Sequence, residues 1–284
     1  MTRFFNNLKT TFLLTLLFVL ILTVGAQLGG QAGLMIAFII GLVMNVGAYF
    51  YSDKIAIASM RGQEVDERTA PDLYHMVGRL AGHAGLPMPR VYICPQEAPN
   101  AFATGRNPQN AAVAVTHGAL KLLSYEELEG VMAHELAHVK NRDTLTSCVV
   151  ATLAGVITMV ANMAQWALIF GGLGGNDRNG NALGQLLMII LAPIAAVMIQ
   201  MAVSRSREFV ADHDGAKIAG TPYGLISALQ KLESVSSRVP LRGADPSQSH
   251  MFIVSPAIGK SLAGLFRTHP STEERVAKLR NMMA

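Results

Sequence analysis

The sequence predicts a mainly α-helical chain with a small β-sheet, an α+β protein in which pairs of apolar helices alternate with polar segments. Three observations predict it. No charged residue occurs between Thr11 and Ser52, and two more apolar stretches follow at about Leu145–Phe170 and Leu183–Val203. Charged residues make up only 15% of the chain and hydrophobic ones 51%, whereas soluble domains carry about 25% charged residues. The remaining segments combine amphipathic helical periods with a few short apolar runs bounded by Pro, Gly and Asn.

Taken in order, the first apolar run is too long for one membrane helix and long enough for two of about 20 residues. The stretch Gly25-Ala-Gln-Leu-Gly-Gly-Gln-Ala-Gly33 supplies a turn, which predicts helices at about Thr11–Gln27 and Gly33–Tyr51. A secretory signal ending near Val24-Gly25-Ala26 is the competing reading of the first, disfavoured because a second apolar segment follows at once. The two later apolar stretches flank Gly171–Gly180, a loop by composition. A buried hairpin in a soluble core is the alternative; their length favours membrane, against which Pro193 and Gln200 weigh slightly. The predicted organisation is therefore residues 1–52 and 145–203 as transmembrane hairpins, with 53–144 and 204–284 as two parts of one polar domain.

Basic residues orient the chain. Arg3 and Lys9 precede the first span, Lys54 and Arg61 follow the second, and Arg205 and Arg207 follow the fourth. The positive-inside rule places both termini and the polar domain in the cytoplasm. Trp166 sits near the end of the third span, as interfacial aromatics do. Twenty-three Lys and Arg against 19 Asp and Glu is too mild an excess to imply nucleic acid. Two isolated cysteines, Cys94 and Cys148, give neither a disulfide framework nor a Cys-based metal site.

In the polar domain, Pro71–Gly85 has the 3.6 period of an amphipathic helix, with Leu73, Met76, Val77, Leu80 and Ala81 on one face. Arg90–Cys94 is a predicted strand. Asn100–Gly105 and Ala111–Thr116 flank turn residues and predict a hairpin. Ser124 and Glu127 then form an S-x-x-E capping box that starts a helix running, without a proline, towards the third span. Ser271–Met283 predicts a C-terminal amphipathic helix, and Ser234–His250 a polar loop bordering a cleft.

The capped helix carries His134-Glu135-Leu-Ala-His138, an H-E-x-x-H sequence. Four residues apart, the histidines stack on one helical face and can bind one zinc ion. Glu135 points off that axis, where it can take a proton from water that zinc acidifies. The motif is short and also occurs on helices that bind nothing, so a third ligand decides. Glu208 and Asp212 share a face beyond the fourth span. Glu208 suits the third ligand, and Asp212 suits a partner that accepts a hydrogen bond from a ligand histidine. The alternatives are a Glu208 ion pair with Arg205 or Arg207 and a merely surface Asp212. Asn100–Gly105 reads as an edge strand on which a substrate backbone could pair, with Asn100, Ala101 and Phe102 as the binding residues. A hairpin that only completes the sheet is the rival.

These features together, with Asn100-Ala-Phe-Ala and His269-Pro-Ser-Thr-Glu-Glu-Arg275, give a sequence that resembles the HtpX-type membrane zinc peptidases, relatives of the CAAX prenyl proteases. The likeness covers nearly the whole chain; Ser271 stands where that family often has Pro. It implies four transmembrane helices and a zincin-like cytoplasmic domain in a bacterial inner membrane. It implies one zinc per chain on His134, His138 and Glu208, with Glu135 as base. It implies His269 on the oxyanion and Arg275 in support of that region. The substrates it implies are misfolded membrane proteins, degraded in envelope stress and protein quality control. Two rivals are an intramembrane protease, opposed by the charges from Glu126 to Asp143, and a scaffold whose zinc only ties two halves together.

Overall fold

The computed structural model describes residues 2–143, 146–147, 150, 153–158, 161–162, 165, 182–236 and 270–282. The chain divides into two compact units, Met1–Tyr49 with Ser147–Val203, and Phe50–Thr146 with Ser204–Ala284.

Helix α1 (Thr2–Ser59), whose residues up to Tyr49 belong to the first unit, is helical through the glycine-rich stretch where a turn is expected. It is not straight. The rings of Phe18 and Phe38 meet edge to face with centroids 6.4 Å apart, while a straight helix would separate these residues by about 30 Å. The chain therefore folds back between them, and Gly25–Gly33 lies midway. What differs from the expectation is that the glycine-rich stretch itself is helical.

Ile21 and Val24 of α1 pack with Val150, Leu153 and Ile157, and with Ala192, Ala196 and Val203 of helix α5 (Ala182–Ala219). Outside this core, Phe12, Val43 and Ile36 of α1 are 65%, 65% and 56% exposed, and Ile190 and Leu191 of α5 are 53% each. An apolar surface this extensive suits contact with lipid or protein better than with water. Among the described residues one helix, Ile189–Ala219, is long and apolar enough to cross a membrane. Thr11–Val24 and Gln31–Ile40 are shorter apolar helices. The expected third span is described only in part, and Trp166, Cys148 and Gly171–Gly180 lie outside the described residues.

The second unit is built on a four-stranded mixed sheet in the order β1-β2-β4-β3. Strands β1 (Gln63–Val65), β2 (Arg90–Cys94), β3 (Ala101–Thr104) and β4 (Ala112–Thr116) compose it. The predicted hairpin is β3 with β4, antiparallel from Ala101↔Val115 to Thr104↔Ala112. Parallel pairing of β2 with β4, from Arg90↔Ala112 to Cys94↔Thr116, places β3 at an edge. Strand β1 pairs antiparallel with β2 and is not expected from the sequence, because Gln63-Glu-Val is too short to show alternation.

Period-two alternation divides the side chains between two faces. Val91, Val113, Val115 and Ala101 join a core with helices α2 (Pro71–Ala84) and α4 (Tyr125–Asn141). Tyr92, Cys94, Phe102, Ala112 and Ala114 pack on the other face with Met60. Helix α2 ends at Gly85, whose φ of 69° supplies the left-handed cap. Thr116 Oγ1 caps the unpredicted helix α3 (His117–Leu122) and also accepts from the Asn100 N–H at 2.8 Å, which ties the start of β3 to the end of β4.

Helix α4 starts as predicted: Ser124 Oγ accepts from the Glu127 N–H and the Glu127 carboxylate accepts from the Ser124 N–H. Its buried stripe is Leu128, Val131, Met132, Leu136 and Val139. Helix α6 (Tyr223–Ser236) crosses it at backbone contact. A Cβ at Gly130 would lie 2.4 Å from the Leu225 nitrogen. Helix α7 (Thr272–Arg280), capped by Ser271 Oγ, buries Arg275, Val276 and Leu279.

Candidate active site

The site lies in the second unit, where α4 brings His134 and His138 to the stretch of α5 that carries Glu208 and Asp212. The crossing depends on Gly215. A Cβ there would stand 2.8 Å from His134 Cα and 3.0 Å from its nitrogen, so the two helix backbones touch at the motif. We expect Gly215→Ala to push α5 away from His134 and to destabilise the unit by about 1–3 kcal/mol. Thermal unfolding without metal and chelator competition with metal measure the two effects. Unchanged values in both would show that the contact is not needed.

His134 and His138 face one point. Their rings are perpendicular, at 86°, with Nε2 atoms 3.1 Å apart. Glu208 Oε2 is 3.6 Å from His134 Nε2, and its Oε1 is 3.4 Å from His138 Nε2. A tetrahedral ion with bonds of about 2.0–2.2 Å requires ligand atoms roughly 3.3–3.6 Å apart. Both histidine–glutamate separations match that spacing and the histidine–histidine one is slightly shorter, so the three donors can hold a metal ion, and they are the group among the described residues that can. One carboxylate and two imidazoles suit zinc, which does not demand the six oxygen ligands of magnesium or calcium.

The outer nitrogen of each histidine faces a carboxylate. His134 Nδ1 lies 3.0 Å from Asp212 Oδ1. His138 Nδ1 lies 2.8 Å from Asp143 Oδ2. The His138 Nδ1–H donates to Asp143, which leaves its Nε2 lone pair towards the cation point; His134 Nδ1 lies close to Asp212 without a well-directed hydrogen bond to it. Burial pulls both imidazoles down, but Asp212 and Glu208 outweigh it for His134, and Asp143 and Glu208 for His138. Both are held above the usual histidine range, His138 well above.

Arg275 completes this layer at 1% exposure. Its Nε and Nη2 grip both oxygens of Asp212 at 2.9 and 2.6 Å. Its Nη1 stands 3.5 Å from Glu208 Oε2. Burial would lower its affinity for a proton, but Asp212, Glu208 and Glu135 hold the guanidinium firmly charged. The C-terminal helix thereby balances the carboxylates of α5.

Glu135 is 6% exposed. Burial pushes its carboxyl up from the ordinary glutamate range, partly offset by the two histidines and by a hydrogen bond from the Ala103 N–H. That donor belongs to β3, so the glutamate touches the edge strand. Asn100, Ala101 and Phe102 are 1%, 1% and 4% exposed, so these three residues present almost no surface, backbone or side chain, to a partner, and Ala103 is the half-buried position of β3. His269 lies outside the described residues, as does most of Ser234–His250.

Two residues of the site are not legible from spacing. Asp143 stands five residues after His138 and, on a continuous helix, would point about 140° away. Arg207, counted above as a charge flanking a span, is instead 7% exposed and donates to Asp143 Oδ1 through Nε. The helix expected to run on towards the third span stops at Asn141, with Arg142 left-handed at φ 57°. That break turns Asp143 back onto His138.

Two imidazoles, one carboxylate and a buried neighbouring glutamate that touches an edge strand define a metal-dependent hydrolase of the H-E-x-x-H class. The comparisons agree. Residues 67–283 match the model of peptidase family M48. A protein named Protease HtpX homolog in Syntrophobacter fumaroxidans is 52% identical over 280 residues, covering 98% of this chain and 99% of that one. One of the same name in Desulfatibacillum aliphaticivorans is 54% identical over 276 residues, covering 96% and 89%. The crystal structure of S. mikatae Ste24p shares the fold, with a TM-score of 0.60 at 16% identity over 98% of this chain; the chain spans 66% of that protein's length. The chain belongs to peptidase family M48 and is a membrane metalloprotease, as its resemblance to the HtpX-type peptidases implies.

Proposed function

We propose that the protein is a zinc endopeptidase, anchored by four membrane helices, that hydrolyses peptide bonds of misfolded or damaged membrane proteins at the cytoplasmic face of an inner membrane. The observation that carries this reading is the convergence of His134, His138 and Glu208 beside Glu135, which itself touches an edge strand. The exposed apolar rows on α1 and α5 support the membrane part. The basic flanks Arg3, Lys9, Lys54 and Arg61 support the cytoplasmic orientation. The HtpX name of the relatives supports a role in quality control.

When bound, zinc polarises a carbonyl oxygen and makes water nucleophilic near neutral pH. The chain's own residues do the rest. His134, His138 and Glu208 hold the ion. Asp143 keeps His138 in the tautomer that presents Nε2. A substrate strand pairing with the edge strand β3 would bring its scissile carbonyl to the site in a fixed register. Glu135 takes a proton from the attacking water as the C–O bond forms. It then delivers that proton to the departing amine as the C–N bond breaks. Arg275 offsets the charge of the buried carboxylates. His269 is the proposed donor to the oxyanion.

Because Glu135 must be ionised to act as base, its raised pKa moves the acid limb of activity upward. Cleavage is lost as pH falls through that value. We expect the limb above the range of an exposed glutamate, about 4.3, in a pH profile of kcat/KM with metal occupancy checked at each pH. A limb at or below that range would refute the assignment. The reading as a whole is tested by metal analysis of the purified full-length protein, with cleavage of an unfolded membrane protein measured with and without chelator. Metal bound at the site without chelator-sensitive cleavage would favour the scaffold.

A further inference from the structure

The M48 motif residues do not account for the Asn141–Asp143 turn. Arg142 adopts a left-handed conformation that only glycine takes without strain, at φ 57°. Its N–H donates to the carbonyls of His138 and Val139, so the cap closes directly over the second motif histidine. The turn is anchored on both sides. Arg207 Nη2 donates to the Asn141 carbonyl at 3.2 Å, and Asn141 Nδ2 donates to Asp214 Oδ2 at 2.9 Å. Between these anchors Asp143, 4% exposed, divides its two oxygens. One accepts from His138 Nδ1 and the other from Arg207 Nε.

Arg207 is the residue next to Glu208. A single carboxylate thus joins the helix that carries the two histidines to the segment that carries the glutamate. We infer that Asp143, held by the Arg142 turn and by Arg207, is a positioning residue for the metal centre: it fixes the His138 ring and sets its distance from Glu208. The inference rests on the proposed reading of this site as a metal centre. Asp212 of α5 lies 3.0 Å from His134 Nδ1, but the directed hydrogen bond from an outer nitrogen is the one from His138 to Asp143.

The test uses the full-length protein in detergent, with zinc affinity from chelator competition and the visible spectrum of the cobalt(II)-loaded form. We expect Asp143→Ala to weaken zinc binding by about 10–100-fold and to shift the cobalt bands, because the ligand field at His138 changes. Asp143→Asn, which keeps an acceptor but not the charge, should fall between it and wild type. Arg142→Gly, which accepts the same backbone angle, should bind zinc like wild type, while Arg142→Val, which resists it, should resemble Asp143→Ala. A reduced melting temperature in metal-free Asp143→Ala with zinc affinity and cobalt spectrum unchanged would overturn the inference and leave only a structural role. Equal zinc affinity in Arg142→Gly and Arg142→Val would overturn the part assigned to the turn. If wild type binds no zinc, or His138→Ala binds it as well as wild type does, the metal-centre reading itself fails, and that result is distinct from the others.

Discussion

Replacing Glu135 by Gln is expected to reduce peptide cleavage by about 10²–10⁴-fold, the usual contribution of a positioned proton-transfer group. The amide keeps the volume and one acceptor oxygen, so the carboxyl environment at β3 survives. The side chain no longer accepts a proton from water or delivers one to the amine. Metal content should stay at one per chain, because Glu135 is not among the three converging donors. The measurement is turnover of an unfolded membrane protein, with zinc quantified in the same preparation. Cleavage at the wild-type rate by a metal-loaded E135Q variant would remove Glu135 from the mechanism.

Glu208→Ala is expected to have the second large effect, through the metal itself. It removes one of three donors and leaves two histidines whose Nε2 atoms stand 3.1 Å apart. Zinc binding should weaken by more than the roughly 10–100-fold typical for loss of an outer partner, and cleavage should fall with occupancy. The variant also releases Arg275 from one of its carboxylates while leaving its paired grip on Asp212, so the second unit should still fold. Competition with a chelator of known affinity checks the first expectation and far-ultraviolet circular dichroism the second. Near wild-type zinc affinity in a folded Glu208→Ala protein would show that Glu208 is not a ligand.

The local parts of this protein are legible in its sequence because their causes are local. The S-x-x-E pair at Ser124 and Glu127 forms the reciprocal cap that it predicts. The apolar period of Leu73, Met76, Val77 and Leu80 becomes the buried face of α2. Turn residues between Gly105 and Ala111 mark the β3–β4 hairpin. Four-residue spacing alone puts His134 and His138 on one face of α4. The M48 family is legible for the same reason, since short motifs in a fixed order carry it.

The misses have a common physical form. Strand β1 is made by its partner β2, and three residues carry no period of their own. Arg207 has the composition of a membrane flank, and only packing shows it buried against Asp143. Gly215 looks like an ordinary weak point in a helix, but there the backbone of α5 meets His134. Asp143 is five residues from His138, a spacing that a helical wheel rejects. It becomes a partner because Arg142 leaves the helix.

By itself, then, the sequence determined which side chains are chemically capable of the work, the faces on which nearby ones stand, and the alternation of apolar and polar segments. These follow from helix and strand periodicity and from the solvation of each segment. The tertiary structure alone decided that Glu208 and Arg275 arrive at the two histidines, which carboxylate faces each ring, and which strand lies at the edge beside Glu135. Such distances are set by helix crossings between residues far apart in the chain, where close backbone contact and buried ion pairs select one arrangement and no local period encodes it.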